Sequence, residues 1–155
     1  MDLTLDVGEY KLNIRAAGVV IHNNKVLVHR NINHEHYALI GGRIAINENS
    51  VDTVKREIFE EMGKEVEVQE CIAVVENFFT MKGKRYHEIM FIHKVEFVDE
   101  QDKLIDYTLD NIEGKDYLKY MWLDIDKIEE YNILPKITKK ILKENKFPVH
   151  KVNID

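Results

Sequence analysis

Three glutamates, Glu57, Glu60 and Glu61, stand between Arg56 and Gly63. They close a longer pattern: Gly42, five residues, Glu48, seven residues, then Arg56-Glu57-Ile58-Phe59-Glu60-Glu61-Met62-Gly63. Carboxylates at i, i+3 and i+4 share one side of a helix and repel one another. A hard divalent cation reverses that penalty. Mg²⁺ takes oxygen ligands, keeps several of its waters and is commonly shared with substrate phosphates. The chemistry to expect is therefore work on a phosphate held through metal.

The helix wheel places these groups further. At about 100° per residue, with Glu57 at zero, Glu61 falls near +40° and Glu60 near −60°. Val51, Val54, Ile58 and Met62 fall roughly between +60° and +140°. The apolar stripe abuts the carboxylates, so Glu57 and Glu61 are expected half-sheltered, where a site floor would lie. Arg56 sits on the other flank and can anchor one carboxylate while others stay free. Gly63 suits the left-handed residue that ends a helix, and Asn49 or Ser50 can cap its start.

The stretch Gly42 to Gly63 resembles the signature box of the Nudix hydrolases, the MutT-like family: G, five residues, E, seven residues, R-E-U-x-E-E-x-G-U, with U bulky and apolar. Eight of its nine defined positions match here. The last is Lys64; Asn47 stands where a glycine is common, Ile40 replaces a frequent proline, and Arg43 follows the paired glycines. No carboxylate is lost. Asn tolerates the left-handed conformation, so the turn at Asn47 can survive.

The resemblance implies an α/β fold, the Nudix α/β/α sandwich with a mixed central sheet, as one domain over residues 1–155. It implies a pyrophosphohydrolase dependent on Mg²⁺ or Mn²⁺, in which activated water attacks a phosphorus of a diphosphate linkage. The substrate would be a nucleoside di- or triphosphate, or a nucleoside diphosphate joined to another group. By position, Glu60 and Glu61 resemble the main metal ligands, and Glu57 a ligand or base. The carbonyl of Gly41 matches a further ligand, Glu48 a supporting carboxylate, and Arg56 the arginine that orients them. The family's base or extra ligand often lies outside the box, and Glu88 in His87-Glu88-Ile89-Met90-Phe91 is the candidate. Arg30, just after a strand and ahead of the glycines, is a candidate for substrate phosphate. Two rivals stay open: a Nudix-fold sensor that binds a nucleotide without turnover, and an RNA-binding or RNA-processing protein.

Composition narrows the class. At 155 residues, with 45% hydrophobic and 32% charged, the chain reads as one globular domain able to bury a real core. Its net charge of −6 argues against non-specific nucleic-acid binding, which needs cationic neutralisation of phosphate. The one cysteine, Cys71, cannot form an internal disulfide and reads as a small core residue. No apolar run reaches a membrane-spanning length, and Met1 to Asp6 lacks a signal-peptide pattern. A cytoplasmic protein acting on a small-molecule nucleotide is expected, with no membrane partner; a homodimer is compatible with this reading. His34-Glu35-His36 lacks the partners of a zinc site.

The elements that must position these groups read as follows. Tyr10 to His22 and Lys25 to His29 form a hairpin about Asn23-Asn24. Tyr37 to Ile40 is a short strand entering the glycines. Val66 to Phe79 and Arg85 to Phe97 are long strands joined at Lys82-Gly83-Lys84. Residues 99–116 are polar and ambiguous. Tyr117 to Leu123 is a strand, Asp124 to Tyr131 a short helix, and Pro135 opens a final amphipathic helix to about Asn145. Tyr37, Phe78, Phe79 and Trp122 are candidate stacking groups.

Overall fold

The computed structural model describes residues 1–104, 114–115, 117–144 and 146–155. Strands β1 (Thr4–Val7), β2 (Tyr10–Val19), β6 (Ile40–Arg43), β7 (Val66–Met81), β8 (Lys84–Phe97) and β10 (Val149–Ile154) build a six-stranded sheet. Its order is β1-β2-β8-β7-β10, with β6 also on β2. The pairs β2–β8 and β7–β10 are parallel and the others antiparallel, so the sheet is mixed, as expected. A second sheet joins β3 (Ile21–His22), β4 (Lys25–Asn31), β5 (Tyr37–Ala38) and β9 (Leu118–Asp124). The ambiguous segment 99–116 falls mostly outside the described residues.

Alternation along β2 and β4 divides the interior into two cores. Ala17, Val19, Val26 and Val28 join Val75, Ile92 and Ile141 in one. Ala16 and Leu27 join Val54, Ile58 and Met62 of helix α1 (Ser50–Met62) in the other. Gly18 lets α1 approach: a Cβ there would lie 2.9 Å from Val95 and 3.2 Å from Val54.

The hairpin turns follow their residues. Asn23 and Asn24 both take positive φ, as do Lys82 and Gly83, which matches the twist of two-residue hairpins. The end of the chain differs from expectation. The final helix is only α2 (Thr138–Ile141), and the bonds in and around it reach three residues back more often than four. Ile137 offers it no side-chain cap, and Pro148 forbids helix just before it. The segment Asp124 to Tyr131 forms a 3₁₀ helix, Ile125–Glu130. Strands β1 and β10 were not anticipated. Among the described residues, no helix is long and apolar enough to cross a membrane.

Candidate active site

Helix α1 is set at both ends by its caps. The Asn49 side chain accepts from the Asp52 amide at 2.9 Å, and Gly63 closes the helix at φ 67° with its N–H on the Phe59 carbonyl. The left-handed turn before it is kept by Asn47, at φ 67°. Arg56 then organises the acidic side. Its Nε and Nη2 donate to the two oxygens of Glu48 at 2.8 and 2.9 Å. Nη1 donates to Glu57 at 2.8 Å and to Glu60 at 3.2 Å. Nη2 also reaches the Arg43 carbonyl at 3.2 Å. Glu48 accepts further from the Ala45 amide and the Thr53 hydroxyl. Hydrogen bonding from Arg56 is the main reason its carboxyl is pulled down to about 2. Glu48 and Arg56 are thus a fixed clamp that ties the glycine-to-helix loop to the helix.

Glu57 has a different environment. Burial pushes its carboxyl above the ordinary range, against the opposing hydrogen bond from Arg56. It lies on the backbone of Gly42, where a Cβ would come within 2.1 Å of the carboxyl carbon. Gly41 is held as closely on its other side, since a Cβ would meet the Ala16 carbonyl at 2.1 Å. Ile44 N–H bonds to Ile14 O at 3.0 Å, and the Arg43 carbonyl turns to Arg56.

Glu61 is buried, 5% exposed. It accepts from the Tyr120 hydroxyl at 3.0 Å, and His29 Nδ1 stands 3.6 Å away. Glu88 is buried as well, on a central strand and not a solvent-facing edge. Arg15 lies 3.7 Å from it, and the Asn77 amide donates to it at 3.4 Å.

A cleft of about 640 Å³ brings these parts together: Gly41, Gly42, Glu57, Glu61, Glu88 and Arg15 all line it. Glu60 does not. It is exposed on the far side of Arg56. Arg30 does not line the cleft either. Its Nε donates to the His34 carbonyl at 3.1 Å, and its guanidinium lies over the Tyr37 ring at 5.6 Å. It braces the loop that carries His36, which does line the cleft. Of the stacking candidates only Phe79 lines it, beside Tyr86 at 4.7 Å between ring centroids. Phe78 stacks on His87, Tyr37 meets Tyr131 edge to face, and Trp122 lies by His22.

The residues fit a hard divalent cation in kind. The carboxylates of Glu57, Glu61 and Glu88 line the cleft, and Glu57 fills the hollow that the absent side chain of Gly42 leaves. Among the described residues, no three His, Cys, Asp or Glu side chains converge on one point. His29, Tyr120, Asn13, Arg15 and Asn77 were missed from sequence. The available signal was a polar residue interrupting an apolar strand, as Asn77 does two residues after Val75.

The NUDIX domain family model matches residues 12–144, and the chain belongs to that family of hydrolases. Three solved structures show the same fold at low identity. The NUDIX hydrolase from Nitrosomonas europaea superposes with a TM-score of 0.63 at 20% identity, covering 92% of this chain and 79% of that one. The mutator MutT protein from Bacillus halodurans gives 0.59 at 22%, covering 85% and 80%. An ADP-ribose pyrophosphatase from Streptococcus suis gives 0.55 at 12%, covering 91% and 98%. No curated protein sequence matches the chain significantly.

Proposed function

We propose that this chain, acting as a single domain, is a metal-dependent Nudix pyrophosphohydrolase of small nucleotides. The observation that carries the reading is the convergence of Glu57 and Glu61 from α1 with Glu88 from β8 on one cleft. The similarity of fold to an ADP-ribose pyrophosphatase supports the substrate class.

In this reading Glu57, Glu61 and the Gly41 carbonyl would hold Mg²⁺ or Mn²⁺, with Glu60 on the exposed rim beside them. A divalent cation held there would supply neutralisation of charge on the phosphate oxygens and acidify water. Arg56 and Glu48 keep the loop and helix in register, so the ligand carboxylates do not wander. Glu88 takes the proton of the attacking water. The water oxygen bonds to phosphorus, the bridging P–O bond breaks, and its electron pair leaves with the departing phosphate. Arg15, half-exposed in the cleft beside Glu88, is placed to meet phosphate oxygens. Arg30 enters as a brace and outer contact for the part of the substrate that passes His36. A cytoplasmic site of action is part of the same proposal.

The experiment is a turnover panel of ribo- and deoxynucleoside triphosphates, ADP-ribose and UDP-sugars with Mg²⁺, with the products identified. Hydrolysis of a diphosphate bond in any member, lost in chelator, supports the enzyme. Tight binding of a member without turnover would instead establish the sensor reading.

A further inference from the structure

Five residues on the cleft face lie in one row across five adjacent strands. Thr4 pairs with Asn13, Asn13 with Glu88, Glu88 with Asn77, and Asn77 with Asn153. Asn13, Glu88, Asn77 and Asn153 are all buried, at 4%, 4%, 5% and 8% exposure. A polar row through the middle of a sheet is costly unless its members satisfy one another.

They do so with a fixed polarity. Asn153 Nδ2 donates to Asn77 Oδ1 at 2.9 Å and to the Asp155 carboxylate at 3.3 Å. Asn77 Nδ2 donates in turn to Glu88 Oε1 at 3.4 Å. A carboxylate only accepts, so Asp155 requires the nitrogen of Asn153 on its side. With Asn77 Oδ1 taken by Asn153, only the nitrogen of Asn77 is left for Glu88. From the other edge, the Thr4 hydroxyl lies 2.7 Å from Asn13 Oδ1 and 3.1 Å from the Leu12 carbonyl, and its one hydrogen serves one of the two. The Asn153 end of the row thus turns the Asn77 nitrogen toward the one buried carboxylate. Both ends, Thr4 and Asn153, lie outside the segment that the family model matches, residues 12–144.

We propose that Asn153, on the last strand, is a positioning residue for the reaction: through Asn77 it fixes the orientation of the Glu88 carboxylate in the cleft. The proposal deepens the hydrolase reading and rests on it for the role of Glu88. The strand that carries Asn153 touches β7 alone in the sheet, so its seating becomes a condition for a well-aimed Glu88.

The test compares Asn153→Val with Asn153→Thr, which differ by one hydroxyl at equal shape. Thr4, 2.7 Å from Asn13 Oδ1, shows that a threonine hydroxyl at a row end comes within hydrogen-bond reach of the neighbouring asparagine. Kinetics are run on the panel member that the wild type turns over fastest. Asn153→Val is expected to lower kcat at least tenfold with KM within threefold of wild type. Asn153→Thr should recover at least fivefold of that loss. In an Asn77→Leu background the two should be equal, because the path to Glu88 is already cut. A folded Asn153→Val with kcat within twofold of wild type, or equal kcat for Val and Thr in the native background, overturns the proposal.

A second readout does not depend on turnover or on those variants folding. The side-chain NH₂ signal of Asn77 in a ¹H–¹⁵N spectrum, assigned by its loss in Asn77→Leu, should shift in Glu88→Gln. An unmoved signal means that the row is not connected, and overturns the proposal. A wild type that hydrolyses no panel member defeats the enzyme reading alone, and the Asn77 signal still decides whether the row holds Glu88.

Discussion

Gly42 and Glu57 are in direct contact, with the carboxylate lying where a side chain at position 42 would be. The first glycine of the box is therefore a space reserved for a functional carboxylate. Gly42→Ala should push Glu57 off its place and strain the loop. A loss of about 1–3 kcal/mol is expected, as for other overpacked sites, together with at least a tenfold fall in kcat. Thermal unfolding and steady-state rates check both. Unchanged kcat in Gly42→Ala would mean that Glu57 does not act from this position.

Glu48 supplies a pH-dependent part of the stability. Its carboxyl is lowered from 4.5 to about 2 in the folded protein. A depressed acid stabilises the fold above its unfolded value, and that contribution is lost as pH falls through its folded value. The window is thus about pH 5 down to 2. With Glu48 mostly buried, the loss is on the order of 2–3 kcal/mol. Glu48→Gln should be less stable at neutral pH and lose less on acidification, as read from denaturant titrations at several pH values.

Glu57 has the opposite sign, since burial raises its carboxyl. A raised acid favours folding below its unfolded value, and that advantage is lost as pH rises through the folded one. Without metal at neutral pH, Glu57→Gln should unfold at or above the wild-type temperature, and the gap should close in acid. Mg²⁺ should reverse the order. A cation bound only by the native state adds about 2.7 kcal/mol at one hundred times its Kd, and the variant should gain less. Chelation should abolish turnover, and Mg²⁺ or Mn²⁺ should restore it. Full activity in excess chelator, with metal removal confirmed, would sink the metal assignment.

The box helix was legible because its information is local. Spacing along one helix put Glu57 and Glu61 beside the apolar stripe, Asn49 capped it, and Gly63 ended it. The long hairpin of β7 and β8 was legible for the same reason. Face and partner were harder. Neighbouring strand residues point to opposite sides, so His29 reaches Glu61 while Arg30 lies against Tyr37. Nothing in the order of the two residues says which one faces the site. β1 and β10 form only because β2 and β7 offer them edges. Asn153 reads as a surface residue until its strand is docked and its side chain meets Asn77. Arg56 was expected to anchor a carboxylate and leave the others free; it bonds Glu48, Glu57 and Glu60, and its grip on Glu48 depends on how the loop from Gly42 returns to the helix.

Glu61 separates folding from chemistry most cleanly. Its carboxylate is buried, with the Tyr120 hydroxyl at 3.0 Å and the His29 ring at 3.6 Å. In Glu61→Gln the amide oxygen can still accept from Tyr120, the side chain keeps its volume, and the new NH₂ group has the open cleft and the His29 ring beside it. The fold should therefore survive, with the unfolding temperature within a few degrees of wild type. The negative charge, however, is gone from the cleft floor. Positioned charges and proton acceptors contribute about 10²-fold or more to rate, so kcat should fall by at least ~10²-fold. Metal affinity, read by titration calorimetry, should fall with it. Near-normal turnover in a folded Glu61→Gln would remove Glu61 from the machinery and leave it a buried partner of Tyr120; an unfolded variant would show that its charge supports the core and not the reaction.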